Sequence, residues 1–264
     1  MRVGGENMHV NSMLAVLSVI LLIGTWTTRS FAIEATLDVY YWGYEEEIPG
    51  DDDFVDEYSD PVFVSIGVRD WETRLNRVAP VYTVELGGGP AKYAGSGELD
   101  GYYYYKFRAE LVGAYQINRF SPFIGVGYRW LYDDSGGKTT STGFLSYDRQ
   151  SQYLYLPVGA LVRVTDSFLF RAQFNWLLYG KQTSYLSDID GFSDIDNDQK
   201  SGWGADTTLD FRVTDRIGVH AFFRYWEIED SEIAVGLING AAAFTALEPH
   251  NRTVESGIGI SYRF

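Results

Sequence analysis

The last ten residues of the chain alternate between an apolar face and a face of small or charged side chains. Successive side chains of a β-strand point to opposite faces, so this segment predicts a strand with one face suited to an apolar environment. The printed sequence ends on an aromatic residue, which is better placed at a membrane–water interface than in water. The apolar positions are Ile258, Ile260, Tyr262 and Phe264.

The same period-two alternation recurs along the chain and predicts an all-β fold of about ten strands. No apolar run after residue 32 approaches the ~18 residues that a transmembrane helix needs. If the chain lies in a membrane, all its backbone polar groups must therefore be paired in a closed barrel. The predicted strands cover about 35–44, 61–70, 79–88, 101–116, 120–132, 150–165, 167–182, 202–214, 216–227 and 255–264.

The connections between these strands alternate in length. Short turns at one end of a barrel and long loops at the other are typical of outer-membrane barrels, and an even strand count puts both termini at the short-turn end. A secreted β-sandwich is the alternative, but its polar face would meet water, whereas here that face is rich in Arg and Gly. Tight turns fall near 117–119, 165–167 and 214–216, a longer one at 71–78, and long loops at 45–60, 88–100, 133–149, 183–201 and 228–250.

The first 32 residues have the pattern of a secretory signal peptide. Residues 13–26 form an apolar run of signal-peptide length, and small residues at Ser30 and Ala32 predict cleavage after Ala32. An uncleaved anchor is the alternative. The chain has no Cys, so its fold does not depend on disulfides even in an oxidising compartment. The predicted organisation is a signal peptide at 1–32 and a barrel domain at 33–264.

The terminal strand resembles that of bacterial outer-membrane β-barrel proteins, with a final Phe264, an aromatic at Tyr262 and alternating apolar residues before it. The resemblance implies an up-and-down antiparallel transmembrane barrel of the small OmpA-like class, exported to the outer membrane of a Gram-negative bacterium. It implies that Ile258, Ile260, Tyr262 and Phe264 form the signal read by the barrel-assembly machinery. Outer-membrane lipid and lipopolysaccharide are the implied partners. A hairpin at 127–136 and 147–157 resembles one in uncharacterised members and implies no activity.

The inward face of the predicted barrel carries many charges. A barrel of about ten strands is narrow, and buried charges must be paired or they are costly. We therefore expect a salt-bridged plug, with a thin anion-biased channel as the alternative because several glycines leave room. The predicted lumen cluster is Asp38, Arg69, Glu85, Lys106, Arg108, Glu110, Arg129, Arg163, Arg171, Asp206, Asp210, Arg212, His220, Arg224 and Glu255.

An acidic segment at 187–198 is the candidate metal site. Its carboxylates recur every two to four residues around a glycine, and Ca²⁺ favours several oxygen ligands on such a flexible turn. The segment lacks the terminal Glu and the helices of an EF-hand, so a solvated acidic loop is the alternative. The candidate ligands are Asp188, Asp190, Asp194, Asp196 and Asp198. No other cofactor is predicted.

Hydrolysis and nucleic-acid binding are weaker interpretations. Outer-membrane proteases of the omptin class and lipid A deacylases need a His with a nucleophile or acid, and after the leader the chain has only His220 and His250. We expect His220 to be a hydrogen-bonded lumen residue, and we find no omptin-like aspartate motif to partner His250. A net charge of −15 disfavours nucleic acid. The sequence therefore favours a non-enzymatic barrel with a structural or surface-interaction role.

Overall fold

The computed structural model describes residues 33–48 and 51–264, so the predicted signal peptide lies outside the described residues. Among them no helix is long and apolar enough to cross a membrane. The strands are β1 (Glu34–Ile48), β2 (Asp51–Ser59), β3 (Phe63–Asp70), β4 (Val78–Ala94), β5 (Glu98–Tyr115), β6 (Phe120–Asp134), β7 (Arg149–Arg163), β8 (Phe168–Ser184), β9 (Ile195–Gln199), β10 (Gly202–Arg212), β11 (Ile217–Ile228), β12 (Ala234–Ile238), β13 (Ala242–Ala246) and β14 (His250–Arg263). A single 3₁₀ turn spans Leu186–Asp188.

Antiparallel pairing closes the sheet into a barrel. The last strand, β14, pairs with both β11 and β1, and β1 pairs with β3, so the sheet has no free edge at the chain ends. Two positions of the barrel hold two strands in tandem: β2 and β3 both lie between β1 and β4, and β9 and β10 both pair with β8. The barrel thus has ten positions in up-and-down order, which confirms the predicted architecture.

The alternation of each strand separates a lipid-facing surface from the lumen. On β14, Glu255 is 3% exposed whereas Ile258 is 68% exposed. Outward apolar residues form a band that is bordered by aromatic side chains at both ends, as the two bilayer interfaces require. The extracellular girdle includes Tyr41, Tyr105, Trp130, Trp203 and Tyr225, and the periplasmic girdle includes Phe120, Phe168, Phe211, Tyr262 and Phe264.

Several strands continue beyond the extracellular girdle, where the sequence predicts loops. The predicted loops 45–60 and 88–100 are wrong as loops, because β1 runs to Ile48 and β2 begins at Asp51, while β4 ends at Ala94 and β5 begins at Glu98. The first of these segments is rich in acidic residues, which are uncommon in strands, so its period-two alternation is difficult to recognise in the sequence. The inward positions nevertheless remain buried and aromatic, as at Tyr44 and Tyr102. The predicted loops 183–201 and 228–250 likewise contain β9 and the β12–β13 hairpin.

The lumen is filled in four layers from the periplasmic end outward. An apolar layer comes first, followed by a charged layer and an aromatic layer, and a polar cap lies beyond the girdle. The inward positions of β5 show this order. From the periplasmic end they are Ala114 and Val112, then Glu110, Arg108 and Lys106, and finally Tyr104 and Tyr102. The apolar layer is Val81, Val112, Ala114, Phe123 and Leu161, with Trp71 and Leu169 against it.

Candidate functional site

The charged layer is built around two carboxylates that each bind several donors. Glu110 accepts hydrogen bonds from Arg108 Nη2 at 2.7 Å, Arg171 Nη2 at 2.8 Å, Gln173 Nε2 at 2.7 Å and Tyr155 Oη at 3.0 Å. All five side chains are buried. Charge-assisted hydrogen bonds of this kind are the strong ones, so Glu110 holds β5, β7 and β8 together inside the barrel.

Glu255 forms the second centre of the charged layer. It accepts Lys106 Nζ at 2.7 Å and Arg224 Nη1 at 2.9 Å, and Arg129 Nη2 lies 3.7 Å away. Glu85 accepts from the same Lys106 and Arg224. Two carboxylates and two cations therefore alternate across the lumen, which compensates the cost of burying each charge.

Thirteen of the fifteen predicted lumen residues form this layer. Arg69 pairs with Asp210 and with Glu34, which the sequence interpretation missed, and Arg108 also pairs with Asp206. The layer contains six cations and six carboxylates, with His220 hydrogen-bonded to one of the latter. Its members are Asp38, Arg69, Glu85, Lys106, Arg108, Glu110, Arg129, Arg171, Asp206, Asp210, His220, Arg224 and Glu255.

The other two predicted members lie apart from the network. Arg163 and Arg212 end β7 and β10 at the periplasmic mouth, and both are only half-buried. Neither side chain has an ion-pair partner among the described residues. Their alternation places them on the inward face, but the barrel opens to solvent at that height, so the pattern alone overstates their burial.

The aromatic layer closes the lumen above the charges. The Trp42 ring centroid lies 4.1 Å from that of Tyr104 and 5.2 Å from that of Phe63. On the opposite wall, Tyr155 meets Trp226 edge-to-face at 4.9 Å. Such pairs gain energy beyond their burial.

The space left in the lumen is small. A cavity of about 30 Å³ lies among the charged residues, and another of about 10 Å³ lies below the cap. One water needs roughly 10–15 Å³ by this measure, so the two cavities hold a few waters at most.

A polar cap lies above the aromatic layer, and sequence reasoning missed it. Arg149 Nη1 is 2.5 Å from Glu46, its Nη2 pairs with Glu57, and its Nε is 3.4 Å from Asp133. Tyr44 Oη donates to Glu46 at 2.8 Å and to Glu248 at 3.2 Å. Three buried carboxyl groups thus share one guanidinium, and a fourth, Glu248, joins them through Tyr44. The alternation that places Tyr44 and Glu46 on the inward face of β1 could have indicated the cap, but the acidic residues around them suggested a loop instead.

Burial and mutual repulsion raise the carboxyl pKa values in the cap, which lies outside the membrane-spanning segments. Burial first, and then the neighbouring Glu46, raise the pKa of Glu248 to about 8. Burial and Glu57 raise the pKa of Asp133 well above its usual range, although Arg149 opposes the shift. At neutral pH part of the cap is therefore protonated, which relieves the excess of negative charge.

Four of the five aspartates of the predicted calcium site are bound to separate partners. Asp194 accepts the Ser187 amide, Asp196 pairs with Lys181 Nζ at 2.8 Å, and Asp198 accepts Tyr179 Oη. Asp188 accepts the Asp148 amide, and Asp190 lies in the turn before Gly191. No three of these carboxylates converge on one point within the described chain. Calcium binding stays a prediction, and it requires the segment to rearrange.

The two histidines lie in different surroundings. His220 Nε2 is 2.6 Å from Asp38 Oδ1, while Ser65 Oγ donates to the other oxygen of the same carboxylate. The hydroxyl therefore contacts the acid rather than the imidazole, which is the wrong order for activating a nucleophile. His250 lies on the outward face at the start of β14, away from the lumen.

Comparisons with known proteins identify the fold. No family model and no curated protein matches the chain. The outer membrane protease OmpT from Escherichia coli has a solved structure with a TM-score of 0.56 at 10% identity, covering 90% of this chain and 99% of that one. Neisserial surface protein A matches with a TM-score of 0.41 at 12% identity, covering 88% and 97%. The fold is that of the bacterial outer-membrane β-barrels.

The predicted assembly residues of this outer-membrane barrel all face outward. Ile258, Ile260, Tyr262 and Phe264 are between 42% and 77% exposed. The Tyr262 and Phe264 rings meet edge-to-face at 5.3 Å, and the Phe264 amide donates to the carbonyl of Ile33, just before the first strand. The terminal strand therefore presents its apolar face to lipid at the seam where the barrel closes.

A hollow of the outer-membrane barrel lies on its lipid face. It measures about 620 Å³ and lies above the small residues Ala221 and Gly259, between larger neighbours such as Leu209 and Ile260. Its wall is apolar and outward-facing, so lipid chains cover it in a membrane. At its base it reaches His220 of the charged layer, next to Gly259.

Proposed function

We propose that the chain is a non-enzymatic integral outer-membrane barrel with a closed lumen and a role in structure or surface interaction. It acts in the outer membrane of a Gram-negative bacterium after signal-peptide-dependent export. The observation that carries the proposal is the filling of the lumen by a charge-matched layer and an aromatic layer. The strands that extend beyond the girdle then provide the surface for contact with lipopolysaccharide or with other molecules.

Planar-bilayer conductance tests the closed lumen. We expect the wild-type protein to give no sustained current, because two packed layers block the path. Trp42→Ala combined with Tyr104→Ala removes the centre of the aromatic layer and should produce intermittent conductance. Tyr41→Ala with Tyr105→Ala changes two outward aromatics of the extracellular girdle and is the matched control. A steady wild-type current would contradict the proposal.

An anion-biased channel is the second candidate. The 30 Å³ cavity is lined by four arginines and three carboxylates, and in the described part of the chain Arg171 Nε has no hydrogen-bond partner. The arginines are Arg69, Arg108, Arg171 and Arg224, and the carboxylates are Asp38, Glu85 and Asp206. A guanidinium donor that faces a cavity favours an anion there. If wild-type protein conducts, anion selectivity that falls in Arg171→Gln would support this candidate and replace the first.

The absence of enzymatic activity needs its own test. We expect no cleavage of peptides and no deacylation of lipid A above the background of a mock preparation. His250→Ala and His220→Gln serve as comparison variants, since these are the imidazoles after the leader. Activity that either substitution abolishes would assign the barrel to the hydrolases.

A further inference from the structure

One histidine and two glutamates meet on the outer surface just beyond the extracellular girdle. His250 begins β14 and Glu227 lies near the end of β11, and these strands are hydrogen-bonded neighbours. Glu229 follows β11 directly. One ligand atom from each of the three side chains lies within 4.8 Å of the other two. In the described part of the chain this is the only such group of three His, Asp or Glu side chains.

The spacing of these atoms suits a small divalent ion. His250 Nε2 is 3.3 Å from Glu227 Oε1, which is long for a hydrogen bond between them. Two ligands of a tetrahedral zinc ion, each about 2.1 Å from the metal, lie about 3.4 Å apart. An ion between the imidazole and the carboxylates therefore needs little movement of these two atoms.

A fourth residue orients the imidazole. Glu47 Oε2 lies 3.3 Å from His250 Nδ1, on the side away from Glu227. A histidine that binds a metal through one nitrogen usually donates its other N–H to a carboxylate. Glu47 itself is held by Arg252 Nη1 at 2.6 Å. The chain thus supplies both a ligand set and the outer partner that fixes the histidine tautomer.

The second ligand is also held in place. Tyr225 Oη donates to Glu227 Oε2 at 2.7 Å, which leaves Oε1 directed at His250. The His250 backbone is anchored by a 2.7 Å hydrogen bond from its amide to Asp230.

We propose that Glu227, Glu229 and His250 form a binding site for a zinc-class divalent ion, with Glu47 as a positioning residue. One imidazole and two carboxylates suit zinc and similar transition ions, whereas calcium prefers oxygen ligands alone. Three protein ligands leave a fourth position open to solvent. The site lies two residues beyond Tyr225 of the girdle, at the height of lipid head groups. It goes beyond the proposed function and does not depend on a closed lumen.

Metal titration of the purified protein in detergent, without a polyhistidine tag, tests the site. We expect zinc to bind one to one by calorimetry. Cobalt at the same site should give the visible absorption of a tetrahedral ion, which zinc then displaces. His250→Ala should abolish both signals. Glu47→Gln should weaken binding by about 10–100-fold, the range for outer-shell partners, while keeping the tetrahedral spectrum.

A matched control and a contradicting result complete the experiment. Glu232→Gln removes an exposed carboxylate of the same segment that pairs with Lys200, and it should bind zinc as the wild type does. Heat-modifiable gel mobility must show that each variant is folded. If folded His250→Ala binds zinc as tightly as wild type, or if neither ion binds at one equivalent, the proposal is wrong.

Discussion

The charged layer and the polar cap both bury ionised groups inside one barrel, yet they balance charge differently. The layer matches six cations with six carboxylates around Glu110 and Glu255. The cap places three carboxyl groups on Arg149 and a fourth, Glu248, on Tyr44 beside them. The layer lies between the two aromatic girdles, where lipid surrounds the barrel, and the cap lies beyond them, where water does. Carboxylates are matched by cations where lipid surrounds the barrel. Carboxyl groups outnumber cations where water surrounds it, because these groups can take up protons.

This difference decides how each region responds to damage. A guanidinium stays protonated at all relevant pH values, whereas a carboxylate can take up a proton and become neutral. Removing an acid from the layer leaves arginines that cannot neutralise themselves. Removing the arginine from the cap leaves acids that can. The first change should therefore cost more than the second and should depend less on pH.

The largest effect is expected from Glu110→Ala. Arg171 loses the one carboxylate with which it pairs among the described residues, and Arg108, Gln173 and Tyr155 lose a shared acceptor. Breaking a buried pair from one side costs about 3–5 kcal/mol. We expect a loss of that size in the free energy of unfolding, measured by urea denaturation of the barrel in phospholipid vesicles. The loss should be the same at pH 5 and pH 8.

A surface pair provides the control for this experiment. Glu232 and Lys200 form an ion pair in which both side chains are more than half exposed. Exposed pairs contribute about 0–1 kcal/mol, so Glu232→Ala should leave the unfolding curve almost unchanged. If Glu110→Ala costs no more than Glu232→Ala, the charged layer does not stabilise the barrel as described here.

A smaller effect is expected from Arg149→Met in the cap. Glu46, Glu57 and Asp133 lose their shared cation, but burial already raises the pKa of both Glu57 and Asp133. Protonation then replaces the lost ion pairs, and we expect a cost of about 1–2 kcal/mol at pH 7.5, below that of a pair that cannot neutralise. The cost should shrink further at pH 5. A cost that is independent of pH would show that the cap behaves like the charged layer.

The membrane-embedded part of this barrel was predictable from sequence, and the extracellular part was not. Between the girdles nearly all outward positions are apolar, with Thr207 an exception, so a slip of one residue would put charges into lipid and the register is unambiguous. That constraint gave ten strands and most of the charged layer, including Glu110 and Arg171. Beyond the girdle both faces of a strand are polar, so β2 and the end of β1 had the composition of a loop.

The cap and the histidine cluster were missed for a related reason. Both depend on which residues meet across the barrel or across neighbouring strands. Arg149 and Glu46 are 103 residues apart in sequence, and Glu47 reaches His250 only because the last strand pairs with the first. Alternation identifies which face a residue occupies, but it does not identify its neighbours on that face.

A third prediction uses pH to distinguish the cap from the layer. The pKa of Glu248 rises from 4.5 to about 8 in the folded state, so the folded protein binds more protons between these values. Stability from this group is therefore full below about pH 4.5 and falls as pH rises to about 8, by at most about 1.4 kcal/mol per pH unit. The protection factors of amides near residues 246–251, which correct for the base-catalysed intrinsic exchange rate, should fall over this range. Glu248→Gln should remove the dependence, and an equal fall in β5 between the girdles would contradict it.

The smallest effect concerns the exposed acids outside the cap, in the segment 187–198. These carboxylates are solvated or bound to separate partners, so their mutual repulsion is weak and screened by salt. Calcium can still gather several of them if the segment rearranges, because the ion accepts six to eight oxygen ligands in flexible geometry.

We expect millimolar calcium to slow proteolysis of this segment about two- to threefold, while the barrel is resistant with or without the ion. Replacing Asp190, Asp194 and Asp196 by Asn should abolish the effect, since these positions supply three of the five acids. The loss should appear even though Asp196 already pairs with Lys181, because calcium must outcompete that single cation. Equal protection by sodium at matched ionic strength would show that the segment responds only to screening of its charges. Ion binding would then require carboxylates that already lie close together in the folded chain.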